Sequence, residues 1–144
     1  MELNGETLRF IREHRKDDVR SLALQAPKYP DVDMPVALTQ IAGRQAAAEK
    51  IPSWHEEEGV LYPRHLSLEQ CSSEATARYK ASIIPESSSG TLTDLTGGFG
   101  IDCAFLSPKF HHVTYVERQE VLCEIASHNF PLLGLNHIQI ENKD

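Results

Sequence analysis

Asp94, Gly97, Gly98 and Gly100 are the residues whose types and spacing most directly suggest chemistry, in the run "TLTDLTGGFGIDCAFLS" at 91–107. A carboxylate just ahead of a glycine-rich turn places a negative charge beside backbone that a ligand can approach closely. Two further acids occupy comparable places. Glu117 directly follows "VTYV" at 113–116, and Asp144 directly follows "HIQIENK" at 137–143. An acid beside a glycine turn favours a ligand with positive charge over one rich in phosphate.

The spacing narrows the ligand class. A dinucleotide places its pyrophosphate on GxGxxG, but Gly98-Phe99-Gly100-Ile101-Asp102-Cys103 has Cys103 in the third glycine's place and an acid beside it. Asp94 would face the pyrophosphate as a like charge close to a low-dielectric floor. No Gly-Lys-Ser/Thr follows the turn, which excludes a P-loop. S-adenosylmethionine carries a sulfonium and an ammonium and no phosphate, so an acid ahead of the glycines favours it. An NAD-dependent oxidoreductase stays as the alternative enzyme.

These residues need elements to position them. Thr91–Leu95 has the β-branched, apolar character of a buried strand. Ile101, Ala104 and Phe105 then recur at helical spacing until Pro108 stops the helix. Val113–Val116 is a second strand. Leu122, Ile125, Ala126 and Leu133 share one face of a second helix, which Pro131 should kink or end near Asn129–Phe130. Ile138 and Ile140 alternate in a third strand. Strands alternating with helices imply parallel βαβ units, whose ligand crevice lies outside the carboxyl ends of the strands. Asp94, the glycines, Glu117 and Asp144 all fall at such ends.

With those motifs in place, the chain resembles the class I S-adenosylmethionine-dependent methyltransferases. "DLTGGFG" is similar to their first motif, with Thr96 where many members have another glycine. A narrower likeness, through "EQCSSEATARYKAS" at 69–82, is to candidate RNA methyltransferases that carry a THUMP-like domain. The resemblance implies that Asp94, Thr96, Gly98 and Gly100 meet the cofactor, that Glu117 takes the ribose hydroxyls, and that Asp144 meets the adenine amino group. It also implies that the helix after Ser67 closes over the cofactor side, so that Ser73 reaches the methionine moiety. The expected fold is α/β: a helical region over residues 1–85, then over 86–144 the first half, about three parallel strands, of a Rossmann-like domain ordered third, second, first. With fewer strands than a full domain of this class, the chain is read as a fragment without the catalytic motif, inactive alone and able to self-associate through a bared first strand.

The N-terminal part carries no chemical motif of its own, which keeps a non-catalytic helical interaction module open. Asn4 caps a helix through Leu8 and Ile11, and a second stretch runs from Asp17 to Ala26. Were they continuous, Arg9, Arg12, Lys16 and Arg20 would line one face, although interleaved acids favour a salt-bridged surface. Asp33 caps a helix from about Pro35 to Lys50. Residues 51–65 read as a polar connection anchored by Trp54 and Tyr62. Ser67 and Gln70 form a capping box for a helix whose stripe Cys71, Ala75, Tyr79, Ile83 should pack inward. "PESSSG" at 85–90 reads as a hinge.

Composition bounds the partners. The 144 residues carry a formal net charge of −7, so this stretch does not offer the basic surface that phosphate contacts require. RNA capture is therefore expected elsewhere in the full protein. No run approaches the roughly 20 apolar residues of a membrane span. Three widely spaced cysteines without a CxxC pair suit reduced thiols in the cytoplasm. The histidines match no metal-ligand spacing.

Overall fold

The structure is a computed structural model that describes residues 2–86 and 90–144. Its N-terminal helices start where short polar side chains take up orphan amides. Asn4 accepts the Thr7 N–H at 2.8 Å and opens α1, Gly5–Glu13. Asp18 accepts the Ser21 N–H at 2.9 Å and opens α2, Val19–Ala23. Asp33 accepts from Val36 and opens α3, Met34–Lys50. Each such cap contributes about 1 kcal/mol. Because the chain leaves the helix between α1 and α2, Arg9, Arg12, Lys16 and Arg20 do not form one stripe. Arg9 pairs with Glu6 at 3.0 Å, while Arg12 and Arg15 border a separate cavity of about 460 Å³. Phe10, Leu22, Met34, Ala37 and Ile41 form a small core between these helices.

The stretch expected as a polar connection holds a short helix, α4 (Pro52–Glu56), with Trp54 buried. Beyond it, two buried carboxamides grip extended chain as a neighbouring strand would. Gln40 donates to the Tyr62 carbonyl at 2.9 Å and accepts the Tyr62 N–H at 2.8 Å. Asn129 does the same for Leu61, at 2.8 and 2.9 Å. Backbone groups of both residues are thereby satisfied without a sheet.

The single helix expected from Ser67 is two. α5 spans His65–Gln70 with no side-chain cap, so the Ser67–Gln70 capping box does not form. The chain extends at Cys71, and α6 (Glu74–Ser82) starts afresh on Ser73, whose hydroxyl accepts the Thr76 N–H at 3.2 Å. The break resets the helical phase. Ala77 is the buried residue of α6, while Tyr79 and Ile83, expected inside, are each 67 % exposed.

The sheet has the expected parallel order. β1 (Thr91–Asp94) pairs with β2 (His112–Glu117), and β2 with β3 (Ile138–Asn142). The crossovers are α7 (Ile101–Leu106), which runs into a 3₁₀ turn containing Pro108, and α8 (Glu120–Leu132). β1 differs from expectation in burial. It is an edge strand alternating exposed and half-buried residues, and Leu95 falls outside it, 74 % exposed.

α8 also departs from expectation, continuing through Pro131 to Leu132. Proline so near the helix end removes only one bond, and its ring is exposed. Gly134, at φ +75°, closes the helix: its N–H reaches the Pro131 carbonyl at 3.0 Å, and the Leu135 N–H reaches that of Phe130 at 2.8 Å. This is a Schellman closure, which settles the final carbonyls without the proline's help.

The main core runs through both parts of the chain. Val113, Tyr115, Ile125, Phe130 and Ile138 pack with Ile51, Trp54, Tyr62 and Ala77. Trp54 meets Phe99 edge-on at 5.1 Å. The expected hinge at 85–90 lies in part outside the described residues; at its near side, Glu86 pairs with Lys109.

Candidate functional site

A turn that follows β1 needs a path back over the sheet, and three glycines provide it. The Gly97 N–H bonds the Val116 carbonyl at 2.9 Å, continuing the β1–β2 ladder for one residue. A Cβ at Gly97 would fall 2.2 Å from the Tyr115 ring, so only glycine fits there. Gly98 and Gly100 sit at φ +54° and +90°, where side chains are strained. The Tyr115 hydroxyl donates to the Gly98 carbonyl at 2.5 Å, fixing the turn from beneath.

Glu117 ends β2 and is 7 % exposed. One carboxylate oxygen accepts the Gly98 N–H at 2.9 Å and the other the Gln119 N–H at 2.8 Å. The side chain therefore fastens the glycine turn to the second crossover and keeps further lone pairs for a ligand. Asp94 ends β1, and its Oδ1 accepts the Thr96 N–H at 3.2 Å. Burial raises the Asp94 carboxyl above its ordinary range, against the Thr96 bond; Asp102 and Glu117 raise it further, and Lys80 opposes them.

These residues line one groove of about 550 Å³ over the carboxyl ends of the strands, a size that suits a small-molecule cofactor. Asp94, Thr96, Gly98, Gly100, Glu117 and Asp144 all border it. Because β2 lies between its neighbours, Glu117 stands between Asp94 and Asp144, with strands about 4.8 Å apart. Ser73 does not border the groove; its hydroxyl caps α6, and the adjacent Ser72 borders it instead.

The structure adds residues that pattern reading passed over. Ser72, Cys71 and Asp102 form one wall, and Arg118, Leu122 and Lys143 border the groove near Glu117 and Asp144. Ser72 donates to Asp102 Oδ2 at 2.9 Å, and Lys80 pairs with that oxygen at 2.9 Å. Asp102 Oδ1 is buried and has no hydrogen-bond partner among the described residues, at a cost of order 1–3 kcal/mol. Asp102 was visible in sequence as an acid beside the glycines, but nothing in local spacing tied it to Ser72 and Lys80. Cys103, buried with its thiol pushed up to about 12 by burial and then by Asp94 and Asp102, is a packing residue.

The chain overlays a crystal structure of a candidate methyltransferase from Porphyromonas gingivalis W83. The TM-score is 0.73 and the identity 29 %, over 98 % of this chain and 35 % of that one. The chain carries part of a Rossmann-like methyltransferase fold. It spans about a third of the length of that neighbour. An rRNA methylase from Streptococcus thermophilus overlaps 48 % of this chain and 40 % of its own at 22 % identity, with a TM-score of 0.41, too loose to carry an argument. No protein-family profile matches the chain, and no curated protein does. Among the described residues no three His, Cys, Asp or Glu side chains are grouped to hold a metal ion, and no helix is long and apolar enough to cross a membrane.

Proposed function

We propose that this chain forms the S-adenosylmethionine-binding part of a methyltransferase, with RNA as the substrate class that the resemblance of 69–82 implies. The observation that carries the reading is the convergence of Asp94, Asp102 and Glu117 on one groove beside the glycine turn. With Asp144 the groove has four carboxylates against two cationic side chains, Arg118 and Lys143, a balance that suits a ligand bearing positive charge and disfavours a pyrophosphate.

When bound, the cofactor supplies a methyl group on a sulfonium, open to attack by a substrate nucleophile. This chain's residues bind and orient. Glu117, held by two backbone donors, has acceptor capacity left for ribose hydroxyls. Asp144 borders the β3 end of the groove, which supports the adenine contact that the resemblance implies for it. Gly98 and Gly100 let the backbone run close beneath the ligand. Direct transfer from a sulfonium needs no covalent enzyme intermediate, so alignment and electrostatics are this part's contribution. Cys71, Cys103 and Cys123 as free thiols support a reducing, cytoplasmic setting.

Calorimetry with S-adenosylmethionine and, separately, NAD tests the reading. Binding of the first alone is expected. Binding of NAD alone would turn the reading to an oxidoreductase, and binding of neither would favour an interaction module. A radiolabelled methyl-transfer assay on bulk RNA, with the full protein, tests the substrate class.

A further inference from the structure

The cavity of about 460 Å³ beside α1 shares no lining residue with the groove. Its floor is fixed chain. Val60 and Tyr62 are buried, and Gln40, which also borders the cavity, holds Tyr62 by both of its backbone groups. Leu3, Leu8, Ile11 and Leu61 give it aliphatic sides.

Its charged border is unbalanced. Arg12, Arg15 and Arg44 line it, and Glu58 is the one acid among the described residues that do. Glu58 Oε1 lies 3.2 Å from Arg15 and 3.2 Å from Arg44, on a side chain that is 74 % exposed. A carboxylate thus already sits between two guanidinium forks, and water reaches most of it. Arg12 has no ion-pair partner among the described residues. The cause is local, because Leu8, Arg9, Arg15 and Lys16 occupy the positions three and four residues away and none is an acid. Positive charge is therefore in excess beside an apolar hollow, on a chain whose net charge is −7.

An apolar cavity with a few convergent charged groups is the usual form of a small-molecule site. Aliphatic side chains outnumber rings in this lining: Tyr62 is buried, and His128 is tied to the Gly59 carbonyl at 2.8 Å. An aliphatic body therefore fits better than a nucleobase, which stacks on an open aromatic face. We propose that this cavity is a second ligand site, for a small molecule with an aliphatic chain and a terminal carboxylate. The chain lies against Leu8, Ile11 and Leu61. The carboxylate meets Arg12 and the Arg15–Arg44 pair, whose forks suit its two oxygens, and displaces the exposed Glu58 side chain from between them.

Octanoate, 1-octanol and octylammonium share one alkyl chain and differ in the charge of the head. Calorimetry on the 144-residue chain should show octanoate bound at least about tenfold more tightly than 1-octanol, with octylammonium the weakest. Arg12→Met and Arg15→Met should each lower octanoate affinity at least about fivefold, with 1-octanol held within about twofold. Glu58→Gln should raise octanoate affinity about threefold or more, because it removes the carboxylate that competes for the same forks. Saturating S-adenosylmethionine should leave octanoate affinity within about twofold, since the two sites share no residue. Melting curves will show that each variant folds.

Octanoate bound no better than 1-octanol, or bound more weakly after Glu58→Gln, would overturn the assignment. So would adenosine monophosphate binding more tightly than octanoate, or S-adenosylmethionine displacing octanoate from the chain. A chain that selects octanoate as expected but does not bind S-adenosylmethionine would support this site and overturn the cofactor reading alone.

Discussion

At the scale of single residues, the groove is governed by carboxylates that must stay near one another. Glu117 manages this with two backbone N–H donors, which compensate its burial. Asp94 has one such donor, and burial raises its carboxyl, with Asp102 and Glu117 adding to the effect. The native state holds the Asp94 proton to higher pH than the unfolded chain, so this contribution to stability is present below about pH 3.9 and is lost as pH rises through the native value. Ligand binding runs the other way, because a cationic ligand wants the carboxylate charged. Affinity for S-adenosylmethionine should therefore fall as the solution is acidified, with a midpoint above about 3.9. Asp94→Asn should bind more weakly at neutral pH and lose that part of the profile. Calorimetry across a pH series checks both, and a wild-type midpoint at or below the ordinary aspartate range would remove Asp94 from the contact set.

At the scale of elements, the extended chain at Leu61 and Tyr62 is held from both sides by groups that mimic backbone. Asn129 of α8 bonds both the N–H and the carbonyl of Leu61, and Gln40 of α3 does so for Tyr62. Asn129→Leu keeps similar bulk but leaves two peptide groups unpaired at a half-buried residue. Urea unfolding should show a loss of about 2 kcal/mol, below the sum for two fully buried groups because water reaches part of Leu61. A change under about 0.5 kcal/mol would show that solvent replaces the tie. Local pattern could not reveal these ties, since the partners lie 68 and 22 residues apart and an internal asparagine or glutamine reads as a polar face. What pattern did reveal is local chemistry. Caps at Asn4 and Asp33, strand residues around Val113 and Ile138, and the positive-φ glycines are set by neighbours in sequence. The α5–α6 break was missed because Ser67–Gln70 and Ser73–Thr76 offer two starts within one run, and the contact between Ser72 and Asp102 favours the second. Most of the groove was legible for the same reason as the strands. Its acids sit where strands end, whereas the wall from Ser72 to Lys80 needed the tertiary fold.

At the scale of the whole molecule, the sheet has two outer strands with different protection. β3 carries Glu141 in the strand and Lys143 just beyond it, paired at 2.8 Å, so charge blunts that edge. β1 carries no charge until Asp94, its Thr91 and Thr93 are exposed, and Leu95 stands out beside it. Among the described residues nothing pairs with its outer side. A neutral edge with free amides and carbonyls templates pairing with another chain, but four residues offer few bonds, so the association should be weak. The net charge of −7 opposes close approach of two copies, and salt reduces that opposition. Light scattering across a concentration series should therefore show the average mass rising with protein concentration, more steeply at high ionic strength. Thr93→Lys places a charge on the exposed face of the edge, away from the core, and should hold the chain monomeric over the same range without altering its melting temperature. A wild-type chain that stays monomeric in high salt would show that this edge does not template pairing. A lysine variant that associates as the wild type does would place the contact elsewhere.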